Sequence, residues 1–99
     1  MPIYYSPNGM LSICRVFVHY KGFRYARISD SILPASGDPV VVYRSLYYPR
    51  SLWCRPSHQF YDPLRFIRQE EFVTETVDLT REQVTHSETG VVYPAKALL

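Results

Sequence analysis

The spacing of apolar and polar positions predicts a chain of short strands. From Ile13 to Tyr20 (ICRVFVHY) the two kinds alternate, with Cys14, Val16, Val18 and Tyr20 on one side and Ile13, Arg15, Phe17 and His19 on the other. A period of two marks a strand with two distinct faces. Phe23 to Ser29 (FRYARIS) alternates again after Lys21-Gly22, and a two-residue loop containing glycine predicts a tight hairpin. Asp30 to Pro39 (DSILPASGDP) is a loop by composition. Val40 to Tyr47 is a β-branched and aromatic run, broken only by Arg44 and Ser45. Tyr48-Pro49-Arg50-Ser51 makes a turn, and Leu52 to Arg55 returns as a short strand that Pro56 ends or places on an edge.

Outside this region the pattern is weaker. Met1 to Leu11, with Pro2, Pro7 and Asn8-Gly9, predicts an irregular arm packed down by Ile3, Tyr4 and Tyr5. Asp62-Pro63 has the form of an N-cap followed by proline at the first helical position, predicting about two turns of helix through Leu64, Ile67 and Glu71. Phe72 to Leu79 predicts a strand with Val73, Val77 and Leu79 inward, although Glu75 interrupts that face. Thr80 to Gln83 has capping-box spacing and predicts a short helix, and Val91 to Tyr93 a last short strand. Strands of this length with tight turns predict a mainly β fold: a small antiparallel SH3-like barrel or strongly curved sheet with one or two short helices.

The 99 residues suit a single domain, divided into an arm (1–11), a β core (13–61) and a C-terminal extension (62–99). No stretch approaches the roughly 20 apolar residues that cross a membrane, and the N-terminus lacks the features of a secretory signal. Two cysteines without a signal predict free thiols in a reducing cytoplasm. The net charge of +2 does not by itself indicate nucleic acid, but its distribution is uneven. Residues 1–61 hold seven basic and two acidic side chains, against four and seven in residues 62–99. The basic part also carries eight of the nine tyrosines, so an anionic ligand is expected to favour it.

VHYKGFRY at 18–25, VVYRSLY at 41–47, LWCRP at 52–56 and Phe60 resemble, in order and spacing, domain-of-unknown-function family 1653, known mostly from bacteria and phages. The resemblance covers residues 13–61 and implies a compact β domain, without supplying an activity or catalytic residues. It has one notable departure. The family often places an Ala-Arg-His-Ser-Glu-Thr-like segment before its VVY strand, whereas this chain has the loop Ser29 to Pro39 there and an HSET only at 86–89.

Trp53 and Arg55 share one face of their strand, with Leu52 and Cys54 on the other. With Tyr43 and Tyr47 on the same face of the neighbouring strand, the result is an aromatic platform edged by guanidinium. Such a surface suits a base plus a phosphate, with Trp53 and Tyr43 stacking and Arg55, Arg44 and Lys21 meeting the anion. His19, beside Lys21 at the hairpin end, is positioned to touch phosphate or to titrate near neutrality. The competing interpretation is that Trp53 and the tyrosines fill the core and rim, as aromatics do in small β domains.

Other chemistry is poorly supported. Cys54 and His58 have a C-x₃-H spacing but no second ligand pair, so no metal is expected, and no cofactor motif is present. No local nucleophile signature surrounds Cys54, and Glu70, Glu71 and Glu75 read as solvated charges, so no catalytic residue is assigned. The expected function is therefore a non-enzymatic binding module for a small anionic, nucleotide-like ligand, of the kind that would sequester a nucleotide signal in phage–bacterial conflict. Single-stranded nucleic-acid binding and an SH3-like adaptor for extended or proline-rich peptides are the alternatives. A homo-oligomer is compatible with this size, because pockets often form between subunits.

Overall fold

A computed structural model describes residues 4–6 and 9–99, with side chains from residue 12 onward. It opens with a hairpin of β1 (Tyr4–Ser6) and β2 (Gly9–His19), followed by β3 (Arg24–Ile32). The arm predicted over Met1 to Leu11 is therefore partly strand, since Tyr4↔Leu11 and Ser6↔Gly9 are paired. Its remaining residues, Ile3 and Pro7 among them, lie outside the described ones. The β2–β3 turn is longer than two residues. His19 N donates to Phe23 O (2.8 Å) and Gly22 N to His19 O (2.7 Å), with Gly22 at φ +96°, where a side chain is disfavoured. Phe23 is thereby left outside the strand and exposed.

Strand β3 continues past Asp30 because the valine run opposite offers a backbone partner at each step. β4 (Pro39–Ser45) pairs with it through Ser31↔Val40 and Ile32↔Pro39, so the predicted loop shrinks to residues 33–38. β5 (Leu52–Pro56) returns antiparallel to β4, with Val42 opposite Cys54 and Tyr43 opposite Trp53. Both faces of β4 are covered, which explains a continuous apolar run where a one-sided strand would alternate. Val40 and Val42 join Leu52, Cys54, Val77, Val84, Ala95 and Leu98 in one cluster. Val41 and Tyr43 join Phe17, Phe60 and Phe66 in a second, on the opposite face.

The helix predicted after Asp62 does not form. The one α-helical turn, α1 (Ser57–Phe60), precedes it and buries Phe60 completely. Asp62 instead closes a turn: its Oδ1 accepts from Leu64 N (2.9 Å) and its carbonyl from Arg65 N (2.9 Å) and Phe66 N (3.0 Å). An aspartate before proline suits such a turn as well as an N-cap, and the long ladder available on β2 decides between them. β6 (Phe66–Val77) runs antiparallel to β2 from His19↔Phe66 to Met10↔Val77, taking up both the predicted helix and the predicted strand. Leu64 and Ile67, expected to mark the turns of that helix, are exposed.

The Thr80 helix is also absent. Asp78 N donates to Glu82 Oε2 (2.7 Å) and Glu82 N to Asp78 O (3.0 Å), closing a single turn before β7 (Gln83–His86). β7 lies parallel to β5, so the sheet is mixed where an antiparallel one was expected, and β8 (Val92–Pro94) and a 3₁₀ turn (Ala95–Ala97) follow. Strand order along the sheet is β1-β2-β3-β4-β5-β7-β8, with β6 on the other edge of β2. The fold is mainly β and barrel-like, curled without closing. Glu75 of β6, the apparent break in an inward face, does point inward and meets Arg44 of β4 across the gap.

Candidate ligand-binding groove

Pleating of the β4–β5 hairpin settles the orientation of Trp53. Leu52 and Cys54 enter the first cluster, so Trp53 and Arg55 project from the opposite face with Tyr43. Tyr25 of β3 and Phe17 of β2 lie on that face too, opposite one another. Phe60 and Phe66 cover part of it. Their rings stack at 4.7 Å, and Tyr43 packs at 5.1 Å from Phe60 and 5.2 Å from Tyr25. Trp53 is left half-buried, with one side on this cluster and the other toward solvent.

Two hollows adjoin there. The first, of about 210 Å³, is lined by Tyr25, Tyr43, Trp53, Arg55 and Ser87. The second, of about 290 Å³, is lined by Phe23, Tyr25, Ser45, Tyr47, Tyr48, Pro49, Ser51 and Trp53. Tyr25 and Trp53 line both, so the hollows meet at these two rings as the polar and the aromatic end of an open groove. Each by itself is smaller than the roughly 300–1,000 Å³ of small-molecule sites.

The polar end is organised around Arg55. Its Nε donates to the Tyr43 hydroxyl (3.3 Å) and its Nη1 to Gln59 Oε1 (3.0 Å), while the guanidinium lies 5.6 Å from the centre of the Phe66 ring. Every other arginine has a carboxylate within reach. Arg15 faces Glu70, Arg24 Glu71, Arg27 Asp30, Arg44 Glu75 and Glu82, Arg50 Glu75, Arg65 Asp62, Arg68 Glu70 and Arg81 Asp78. Among the described residues Arg55 alone is held by neutral groups. Ser87 Oγ, also in this hollow, is buried without an aligned hydrogen bond, although it lies near enough to the Tyr43 hydroxyl to favour its ionised form slightly. Burial outweighs that effect and raises the Tyr43 pKa.

Of the residues expected to form the site, Trp53, Tyr43, Tyr47 and Arg55 are brought together, with changed roles for some. Tyr43 is 3 % exposed, so its ring is core and only its hydroxyl serves the groove, which corrects its assignment as a stacking surface. Tyr47 stands exposed at the aromatic end, edge-on to Phe23 at 5.8 Å. Arg44 is removed from the site altogether. It alternates with Tyr43, is 6 % exposed, and lies 3.0 Å from Glu75, an ion contact rather than an aligned hydrogen bond, and 2.8 Å from Glu82. Its Nη1 and Nη2 donate to the carbonyls of Arg50 (2.7 Å) and Thr76 (3.1 Å).

His19 packs against Phe66 (4.9 Å) and accepts a bond from Lys21 N at Nδ1 (3.2 Å). Desolvation and then the charges of Arg55, Lys21 and Arg65 hold its pKa below 6.5. Lys21 is exposed at the hairpin tip over Tyr20; neither it nor His19 lines a hollow. Tyr25, Phe23 and Ser87 went unforeseen. Tyr25 shares its parity with Phe17 across the hairpin and was legible in principle, whereas Ser87 reaches the site only through the parallel β5–β7 pairing. The thiols offer no nucleophile: burial raises both, Cys54 to about 11. Among the described residues no three His, Cys, Asp or Glu side chains cluster as metal ligands, and no helix is long and apolar enough to cross a membrane.

No curated protein and no solved structure matches this chain. A family described as "Protein of unknown function (DUF1653)" matches residues 15–71, more than half of the sequence. The matched segment carries Tyr25, Tyr43, Trp53, Arg55 and Gln59, and stops short of Ser87. This chain belongs to the DUF1653 family.

Proposed function

We propose that the protein is a binding module for a small anionic, nucleotide-like ligand, held with its ring system against Trp53 and Tyr25 and its anionic group at Arg55. The observation that carries this reading is the exceptional status of Arg55, the one arginine without a carboxylate partner among the described residues, at the polar end of an aromatic groove. A half-buried guanidinium held by neutral partners keeps its charge for a ligand. One base stack contributes about 1–3 kcal/mol and one charge-assisted hydrogen bond about 1.5–3 kcal/mol. Two stacks and two such hydrogen bonds, at the upper end of these ranges and less an association cost of about 4 kcal/mol, reach the micromolar range. On this reading the module acts by holding its ligand, as in sequestration of a nucleotide signal.

A second reading is favoured by the exposed rings of the aromatic hollow. Tyr48 is 96 % exposed, and Phe23 and Tyr47 stand beside it, so further bases of a single strand would find stacking partners. A thermal-shift screen of mononucleotides, cyclic dinucleotides and short single strands separates the two. Stabilisation by a mononucleotide, lost in Arg55→Ala, supports the small-ligand reading. Shifts that grow with strand length favour the second reading, and no shift from any nucleotide refutes both.

A further inference from the structure

The HSET segment at residues 86–89 lies beyond the matched family segment, yet it converges on the same arginine. His86 is buried, and its Nδ1 accepts from the backbone N–H of Glu88 (3.2 Å) and Thr89 (3.3 Å), which fixes the turn. Ser87 N donates to Cys54 O (2.8 Å), pinning the serine one residue from Arg55 on β5 and leaving its hydroxyl in the polar hollow. Glu88, the only carboxylate of this segment, does not reach Arg55. Gln59 stands between them, accepting from Arg55 Nη1 at Oε1 (3.0 Å) and donating from Nε2 to Glu88 Oε2 (2.9 Å).

On the reading that this groove binds an anion, we propose that Gln59 and the His86–Glu88 turn make it a subsite for one phosphate-type oxyanion, Gln59 acting as the positioning residue that keeps Glu88 from neutralising Arg55. Arg55 Nη2 has no protein acceptor among the described residues, and Ser87 Oγ has no aligned partner. These two donors and a single uncompensated positive charge match one oxyanion better than a chain of them. A further phosphate would find no second unpaired arginine, because the others already face carboxylates. Glu88 at the rim would repel it. The ligand class is accordingly a monophosphorylated aromatic compound, such as a nucleoside monophosphate.

Isothermal titration with adenosine, its 5′-monophosphate and its 5′-triphosphate tests this on the whole chain. Gln59→Glu sets a carboxylate on Arg55 and is expected to weaken the monophosphate at least about tenfold, roughly one charge-assisted hydrogen bond. Adenosine binding should change less than about twofold, a selectivity that loss of folding cannot mimic. Ser87→Ala, which removes only a hydroxyl, is expected to act in the same direction by about threefold or more, and Glu88→Gln to bring the triphosphate closer to the monophosphate. Equal losses for adenosine and its monophosphate in Gln59→Glu, or wild-type preference for the triphosphate, would overturn the inference while leaving the groove a binding site. If the wild-type chain binds none of the three, the proposed function falls with it.

Discussion

Two arginines of one hairpin, Arg44 and Arg55, show how differently the same side chain is used. Arg44 points into the curled sheet and is neutralised by Glu75 and Glu82; Arg55 points out and meets a phenol and an amide. Removing Arg44 leaves the buried Glu75 with the half-exposed Arg50 as its one partner, and the carbonyls of Arg50 and Thr76 without their donor, at a cost of up to about 3–5 kcal/mol. Arg44→Ala is therefore expected to lose stability of that order in urea unfolding, with ligand affinity unchanged wherever the protein remains folded. Arg55→Ala should do the reverse. His19 adds a pH dependence. Its folded pKa lies below 6.5, so between the two values the unfolded chain binds more protons, and stability falls as pH drops through about 6.5 toward the folded value. Melting temperatures recorded from pH 7.5 to 5 should decline over that window, and His19→Gln should flatten the decline. An unchanged slope in that variant would rule out His19 as the source.

At the scale of elements, what was legible in the sequence was local. The hairpins of residues 13–29 and 40–56 carry their own alternation and turn chemistry, so both were readable, as was the division of Val40, Val42, Leu52 and Cys54 from Trp53 and Arg55. Features set by distant partners were not. Residues 66–71 carry a plausible helix signal after Asp62-Pro63, and only the ladder offered by β2, some fifty residues earlier, makes them strand. Glu75 looked like a fault in β6 because its partners, Arg44 and Arg50, lie far back in the chain. Ser87 and Gln59 were invisible as site residues for the same reason. The single turn of α1 gains its stability from Phe60, which touches Phe17, Tyr43 and Phe66. Phe60→Ala should cost about 3–5 kcal/mol by the lost burial and the cavity left behind. It should also abolish the groove's ligand response, because Phe60 supports Tyr43, whose hydroxyl accepts from Arg55; calorimetry and a binding assay on the same variant check both.

At the scale of the molecule, the family match and the folded unit are not the same length. Residues 15–71 contain most of the aromatic cluster, but Val77, Val84, Ala95 and Leu98 of the other cluster come later. A chain ending at Val77 would strip Val84, Ala95 and Leu98 from the face that Val40, Val42, Leu52 and Cys54 share. Such a truncation is expected to lose cooperative unfolding, and a sharp native-like transition in it would show that the C-terminal third is dispensable. The same third delivers Ser87 and Glu88 to the groove, so core and site are completed by one segment. The groove contains the only tryptophan of the chain, which makes its emission a direct reporter. In the proposed complex a planar anion sits on Trp53 beside Arg55, and a fluorescence titration with a nucleoside monophosphate tests this most simply. Saturable quenching or shift of Trp53 emission at micromolar ligand, lost in folded Arg55→Ala, is the predicted result; emission indifferent to the ligand, or a response that survives Arg55→Ala unchanged, would contradict it.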